Sequence, residues 1–324
     1  MSKHWLKHSF AAFAAVCMPA VASSADAWPA KPITLVVGYA AGASTDFVAR
    51  ETADFLNKEL GVPVIVENKP GANTQIATDF VARAKPDGYT LLVTNSSNAT
   101  NPWVYKELRS TIKKDFVNIG LVGIAYNLVS ASPSLGIKNL NDLVGYARAN
   151  PGKFSYGSVG IGSSQHLLVS YIAEKTGIEL NHIPYKGAMA ALTDVVGGNL
   201  SGMIGTITSQ GPFVKKGDLQ PLFVTSPERS KFLPQVETLA EHNLISVKSG
   251  YWLGISGPKG MPDSAVLKIN AALNKMVADP DVLARLDKQA IDPLGGTPRD
   301  MDKFFDEELE FWRVAAKAAN IDPM

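Results

Sequence analysis

Short apolar runs rich in β-branched residues alternate along the chain with segments of helical periodicity. The first run is Ile33–Val37, and the apolar stripe from Phe47 to Leu56 that follows it predicts a helix over about 45–60. Further strands are predicted at 62–67, 89–94, 116–122, 128–132, 154–159, 182–185, 203–207, 219–225 and 252–255. Further helices are predicted at 140–150, 164–175 and 188–196, and two amphipathic helices at about 266–277 and 301–312 close the chain.

This alternation predicts an α/β protein with two units. Continuous apolar strands between helices are typical of a mostly parallel sheet that helices cover on both faces. The pattern starts again near Leu128, and the two final helices suggest that the C-terminus returns to pack on the first unit. The periodicity does not establish that return, because two consecutive units divided near residue 125 would give the same pattern.

The first 27 residues have the order of a secretory signal peptide. Lys3 and Lys7 precede a short apolar stretch, and small residues around Ala25 offer a cleavage site before Trp28. The stretch is too short to cross a bilayer, which takes roughly 20 residues. We therefore expect residues 1–27 to be removed and the mature chain to lie in the periplasm without membrane insertion.

Cysteine content and charge narrow the possible functions. The one cysteine, Cys17, lies in the leader, so the mature chain is expected to lack disulfides, thiolate metal sites and a cysteine nucleophile. A lipoprotein modified at Cys17 is an alternative, although Val16 stands where that processing needs a small residue. Removing Lys3, Lys7 and Asp26 from 31 basic and 30 acidic residues balances the charge, and no basic stripe indicates a nucleic-acid partner.

Two loops between a strand and a helix could bind an anion. Residues 38–45 and 157–164 are both rich in glycine, alanine and hydroxyl residues, and a predicted helix begins at the end of each. Free N–H groups and the positive end of a helix dipole favour an anion at such a point. The alternative is an ordinary capped turn, closed by Ser44 or Thr45 in the first loop, with His166 as a surface residue after the second. Facing each other across a cleft, the two helix starts would hold two negative groups of one ligand.

A dehydrogenase is the competing interpretation. The glycine-containing loop after the first strand resembles a dinucleotide fingerprint, and Tyr171 and Lys175 have the spacing of the short-chain dehydrogenase pair, with Ser158 upstream. However, Ser44 stands where the fingerprint needs Gly or Ala, and nicotinamide cofactors are scarce outside the cytoplasm. The histidines show no metal-ligand spacing. We therefore predict a protein that is not an enzyme and has no cofactor or metal site.

Several short motifs follow one another in a characteristic order. They are Trp-Pro-Ala-Lys-Pro-Ile at 28–33, Val-Glu-Asn-Lys-Pro-Gly-Ala at 66–72, Lys-Pro-Asp-Gly-Tyr-Thr-Leu at 85–91, Tyr-Gly-Ser at 156–158, Gly-Ser-Ser at 162–164, Ile-Pro-Tyr-Lys-Gly at 183–187 and Leu-Pro at 233–234. Each motif is modest, but the ordered set is specific. From Trp28 to about Ile321 the chain resembles the substrate-binding receptors of tripartite tricarboxylate transporters, the Bug-type receptors.

The resemblance implies a fold and a function. The fold would be a two-lobed clamshell like type II periplasmic binding proteins, each lobe a mostly parallel sheet flanked by helices. Lobe 1 would comprise residues 28–125 plus 253–324, and lobe 2 residues 126–252. The function would be capture of a small carboxylate for a membrane transporter, or alternatively for a sensor kinase, and we expect a monomer.

The resemblance also implies where the ligand lies. The family binds carboxylates through backbone amides and ordered water in loops that correspond to 39–46, 94–97, 160–166 and 184–187. The predicted ligand-binding residues are Tyr39, Ala40, Ala41, Gly42, Ala43, Ser44, Thr45, Asp46, Asn95, Ser96, Gly160, Gly162, Ser163, Ser164, His166, Tyr185, Lys186 and Thr206.

Two departures from the family pattern bear on the ligand. Gly38, Ala43 and Ser44 replace a proline and two glycines of the first turn, so that Ala43 limits backbone approach there and Ser44 adds a hydroxyl. Gly205 and Thr206 stand where members often carry Asp-Asn. Because an acid at that point could pair an ammonium group, its absence argues against an amino acid and favours a non-amino dicarboxylate, aliphatic or aromatic.

Overall fold

The computed structural model describes residues 28–42, 44–244 and 250–321. The predicted leader and Ala43 lie outside these residues. The strands are β1 (Ile33–Val37), β2 (Val64–Asn68), β3 (Thr90–Asn95), β4 (Phe116–Ala131), β5 (Ser155–Ser158), β6 (Asn181–Pro184), β7 (Gly202–Thr206), β8 (Gln220–Val224), β9 (Glu237–Thr238), β10 (Gly250–Pro258) and β11 (Ile291–Pro293). The helices are α1 (Ser44–Leu60), α2 (Gln75–Ala82), α3 (Ser96–Val104), α4 (Ile112–Asp115), α5 (Leu140–Ala149), α6 (Ser164–Thr176), α7 (Ala188–Val196), α8 (Ile207–Lys216), α9 (Asp263–Met276), α10 (Pro280–Lys288) and α11 (Pro298–Ala318).

Two groups of paired strands form the two lobes. In the first, the order is β2-β1-β3-β10-β4, with β1 parallel to β2 and β3, and with β10 antiparallel to its neighbours. In the second, β5 lies parallel to β6 and β7, and β7 and β8 both run antiparallel to β4. The prediction of an α/β fold with two lobes and flanking helices is confirmed, but each sheet is mixed, because β10 and β4 add antiparallel pairs to the parallel ones.

One long strand belongs to both lobes. Residues 116–126 of β4 pair with β10, and residues 127–131 pair with β7. The sequence pattern predicts two separate strands here, at 116–122 and 128–132. The structure has a single strand because the intervening residues, 123–127, are buried and continue the ladder. The lobe limits given above stay a prediction.

The C-terminal segment returns to the first lobe. Strand β10 lies between β3 and β4, and α11 packs against α3, α6 and β4. Trp252 of β10 and Trp312 of α11 are fully buried, which gives this return a large apolar contact. The alternative of two consecutive units divided near residue 125 is therefore wrong. No helix in the described part of the chain is long and apolar enough to cross a membrane.

Candidate functional site

The carboxyl ends of strands from both lobes meet where β4 passes from one lobe to the other. Asn95 ends β3 and pairs with Leu253 of β10, while Thr206 ends β7 and pairs with Asn127 of β4. Ligands of open α/β sheets bind beyond such carboxyl ends. The predicted loops after β1, β3, β5 and β6, together with Thr206 at the end of β7, therefore lie at one edge, between the lobes.

The loop after β1 is held by a carboxylate of its own helix. Asp46 is buried and accepts hydrogen bonds from Arg50, from the Asn68 amide at 3.0 Å and from the backbone N–H of Gly42 at 3.0 Å. The bond from Arg50, aided by Gly42 and Asn68, lowers the pKa of Asp46 to about 2. The start of α1 thus already carries a neutralised anion, and Ala40, Ala41 and Gly42 are exposed beside it.

Hydroxyl groups tie this loop to β10 and α3. The Tyr39 hydroxyl lies 2.7 Å from the Ser97 hydroxyl, and the Thr45 hydroxyl lies 2.6 Å from that of Tyr251. The Ser97 hydroxyl donates to Asn73 Oδ1 at 2.9 Å, so it accepts from Tyr39. These hydroxyl groups therefore form hydrogen bonds with one another. Ser44 begins α1, and its side chain lies outside the described part of the structure.

The start of α3 has polar atoms without a partner. Asn95 caps the helix, because its Oδ1 accepts the backbone N–H of Ser97 at 2.9 Å, and Asn98 completes a capping box. Asn95 and Ser96 are both 0% exposed. Asn95 Nδ2 and the Ser96 hydroxyl are buried without a hydrogen-bond partner among the described residues. Such atoms cost about 1–3 kcal/mol each unless something else binds them.

In the second lobe, the loop after β5 binds most of its own amides. The Gly160 N–H donates to the Ser158 hydroxyl, and the Gly162 N–H donates to His166 Nδ1, both at 3.2 Å. The Ser163 hydroxyl donates to the Gly160 carbonyl at 2.7 Å and accepts the His166 N–H, so Ser163 caps α6. Gly160 and Gly162 have φ values of 138° and 74°, which favour glycine.

His166 is buried, and its partner is a residue that the sequence analysis did not place in the site. The His166 and His182 rings stack with centroids 3.9 Å apart, and His182 Nε2 lies 2.7 Å from the Ser158 hydroxyl. Burial lowers the pKa of His166 to about 4, and burial together with the neighbouring His166 does the same for His182. The alternative of a capped turn with a surface His166 is wrong in the exposure of His166. Its contact with His182 depends on the pairing of β6 with β5, which the sequence pattern does not specify.

The other predicted residues, Tyr185, Thr206 and Lys186, differ in whether their side chains have a partner. The Tyr185 hydroxyl donates to Asp194 at 2.6 Å, and this bond, with burial, raises the pKa of Tyr185 to about 12. The Thr206 hydroxyl caps α8 by accepting the Ser209 N–H. Lys186 is exposed and makes no ion pair within the part of the chain that the structure describes.

The lobes touch at the loop after β5. A Cβ on Gly162 would lie 2.5 Å from a methyl group of Val104, at the end of α3 in the first lobe. Gly162 is therefore needed for this approach, both for its φ and for its lack of a side chain. The contact places the end of α3 directly against the loop that precedes α6.

The geometry opposes the dehydrogenase interpretation. Ser158 is bonded to His182, whereas Tyr171 packs edge-on against Phe311 of α11 with ring centroids 5.3 Å apart. Lys175 Nζ lies 5.5 Å from the Tyr171 ring centroid, over its face. The Ser, Tyr and Lys side chains therefore do not form one catalytic group.

Comparison with known proteins agrees with this geometry. The model of the tripartite tricarboxylate transporter family receptor matches residues 48–321. The periplasmic binding protein BugD is 32% identical, with a TM-score of 0.76 over 92% of this chain and 100% of its own. The R. palustris protein Rpa4515, solved with adipate, is 29% identical, with a TM-score of 0.81 over 92% of this chain and 100% of its own. MatC from Rhodopseudomonas palustris, solved with malate, is 26% identical, with a TM-score of 0.77 over 89% of this chain and 100% of its own.

The structural similarities cover 89–92% of this chain and therefore extend over both lobes. The chain belongs to the tripartite tricarboxylate transporter receptor family and is a solute-binding receptor, not an enzyme.

Proposed function

We propose that this receptor captures a small non-amino dicarboxylate between its lobes in the periplasm and delivers it to a tripartite uptake system. The observation that carries the proposal is the pair of buried, unpartnered donors at the start of α3, Asn95 Nδ2 and the Ser96 hydroxyl. Hydrogen-bond donors without a partner suit a carboxylate, which accepts only. The similar structures with adipate and malate support this ligand class.

The first-lobe contact differs from the one that the loop pattern suggests. The pattern favours the start of α1 as an anion site, but Asp46 already occupies the Gly42 amide there and is paired with Arg50. That amide is therefore not free to bind a second carboxylate. We therefore assign the ligand carboxylate of the first lobe to Asn95 and Ser96 at the start of α3. The hydroxyl groups of Tyr39 and Thr45 hold the neighbouring loop in place.

The second-lobe contact is the start of α6. Ser163 caps the helix by binding the N–H of His166, the third helical residue. Within the described residues, the backbone N–H groups of Ser164 and Gln165 have no acceptor. These two amides, at the positive end of a helix of 13 residues, offer a carboxylate two donors. Lys186 adds an unpaired positive charge in the same lobe.

The proposal is tested with matched ligands and a matched pair of variants. Protein freed of ligand by unfolding and refolding should bind adipate at least tenfold more tightly than its monoester, because the ester leaves one lobe's donors unpaired. Hydrogen bonds to charged groups contribute roughly 1.5–3 kcal/mol, or one to two decades in affinity. Titration calorimetry makes the measurement, with malate as the shorter diacid.

Asn95→Asp separates the ligand contact from the helix cap. Aspartate keeps the Oδ1 that accepts the Ser97 N–H but replaces the Nδ2 donor with an acidic oxygen, so adipate affinity should fall more than tenfold. Asn139→Asp is the control, because the Asn139 side chain also caps a helix, α5, but at a half-buried position outside the proposed site. Equal binding of diacid and monoester, or equal loss in both variants, would contradict the proposal.

A transporter is the proposed partner, and a sensor kinase is the alternative. The family name supports the transporter. Pull-down of detergent-solubilised membrane proteins with ligand-loaded and ligand-free receptor distinguishes the two, since a transport subunit and a histidine kinase differ in sequence by mass spectrometry.

A further inference from the structure

His182 lies outside the predicted binding loops, on strand β6 at the edge of the second lobe. It pairs with Tyr156 of β5, and Ser158 lies two residues further along β5, on the same face. The His182 ring is 5.1 Å from the Tyr156 ring and 3.9 Å from the His166 ring, so it lies between the two. His182 of β6 thus links the neighbouring strand β5 to helix α6.

The two histidine rings are linked to the hydrogen bonds of two loop amides, one directly and one through Ser158. His166 Nδ1 accepts the N–H of Gly162, and Ser158, which is bonded to His182 Nε2, accepts the N–H of Gly160. Both glycines have positive φ values, and neither has a side chain that could fix the loop. Without these acceptors, the N–H groups of Gly160 and Gly162 would have no partner, and the loop before α6 would be held mainly by the bonds from Ser163 to the Gly160 carbonyl.

We propose that His182 is a positioning residue for the anion-binding end of the second lobe, acting through Ser158 and through the stacked ring of His166. The stack holds the acceptor nitrogen of His166 toward Gly162, and the hydroxyl of Ser158 toward Gly160. The amides of these glycines are thereby turned away from the ligand, which leaves Ser164 and Gln165 to bind it. The inference rests on the proposed function only for this last step.

Both imidazoles act as neutral rings in this arrangement. His166 Nδ1 is an acceptor, so its hydrogen is carried by Nε2. Burial holds the pKa of each ring near 4, so neither carries a charge at neutral pH. A proton on His166 Nδ1 would remove the acceptor of the Gly162 amide.

Hydrogen exchange measured by mass spectrometry tests the inference without any ligand. His182→Phe keeps a stacked ring but loses the nitrogen near Ser158, so exchange in the segment 159–166 should rise about fivefold, the effect of one average net hydrogen bond. The control is His242→Phe, because His242 lies in the same lobe but contacts Glu237 instead. Ser158→Ala should act like His182→Phe, and the double variant should exchange no faster than the faster single one, since both changes remove the same link.

Two results would overturn the inference. Unchanged exchange at 159–166 in His182→Phe would show that the ring fixes nothing there. Faster exchange throughout β5, β6 and β7 would show that His182 supports the whole lobe and has no particular role at the loop. A binding measurement completes the test: adipate affinity should fall about fivefold in His182→Phe and stay unchanged in His242→Phe. If neither adipate nor malate binds the wild type, the proposed ligand class fails, while the exchange data still decide the role of His182.

Discussion

Glu308 is a buried carboxyl group in α11 with an incomplete set of partners. It is 1% exposed, and its Oε2 accepts hydrogen bonds from the indole N–H groups of Trp252 at 2.6 Å and Trp312 at 2.8 Å. Its Oε1 is buried and has no hydrogen-bond partner within the described residues. Burial outweighs the two indole bonds and raises the pKa of Glu308 from 4.5 to about 7.

The neighbouring elements supply no positive charge that would hold Glu308 ionised. Strands β4 and β10 and helix α3 contain no charged residue. The charged residues of α6 and α9, which are Glu174, Lys175, Asp263, Lys268 and Lys275, are all exposed. The charged neighbour that acts on Glu308 is Glu307 of its own helix, which raises the pKa further.

The sign of the pH effect follows from these values. Between pH 4.5 and about 7 the folded protein keeps the Glu308 proton that the unfolded chain has released, so the free energy of unfolding falls as the pH rises through this window. At 1.36 kcal/mol per pH unit, the loss amounts to about 3 kcal/mol. Glu308→Gln keeps an oxygen for both indoles and has no proton to lose. The variant should match wild type near pH 4.5 and exceed it by about 3 kcal/mol at pH 8.

Urea unfolding followed by tryptophan fluorescence, from pH 4.5 to 8, measures this difference, and the m-values should agree. Comparison with wild type is needed because His166 and His182, with lowered pKa values, make unfolding free energy rise between about pH 4 and 6.5 in both proteins. Glu310→Gln controls for loss of a negative charge from α11, since its carboxylate is exposed and pairs with Arg313. A difference between Glu308→Gln and wild type that does not change with pH would refute the reasoning.

Three other predictions address the leader, the site and the excluded enzyme. Intact-mass analysis of periplasmic protein should find an N-terminus between Ser23 and Trp28, and a retained or lipid-modified N-terminus would contradict this expectation. Asp46→Asn should lower the free energy of unfolding by about 1–2 kcal/mol at pH 7, because folding lowers the pKa of the Asp46 carboxyl from 3.8 to about 2 and its ionised form therefore stabilises the fold. Chemical denaturation should show this difference vanishing as the pH falls toward 2. Tyr171→Phe should leave adipate affinity in calorimetry unchanged, and NADH should not raise the melting temperature; a cofactor-dependent absorbance change that Tyr171→Phe abolishes would reverse the assignment.

Much of the architecture could be predicted from the sequence because it depends on local periodicity. The strand at 33–37 and the helix that begins beside Thr45 occur where the apolar pattern predicts them. The continuity of β4 could not be predicted, since residues 123–127 include glycine, asparagine and tyrosine and have no strand-like alternation. Their strand geometry comes from pairing with β10 and β7, which are distant in the chain.

The candidate site shows the same division between local and distant information. Helix caps at Asn95, Ser163 and Thr206 follow local rules, so their positions agree with the predicted loops. The roles of Asp46 and His182 depend on side chains that meet only in three dimensions, Asn68 for one and Ser158 for the other. No spacing in the sequence specifies those contacts.

The position of β10 between β3 and β4 has a consequence for the order in which the molecule can fold. During synthesis, β3 and β4 emerge long before residues 250–258, so the first lobe has an open gap in its sheet until the last quarter of the chain is available. The strands of the second lobe, from β4 to β9, are complete earlier and can pair without β10. Unpaired strand edges are prone to aggregate, so the half-made first lobe is the vulnerable intermediate. A chain truncated before Gly250 should therefore retain an ordered second lobe but remain dependent on a chaperone for the first.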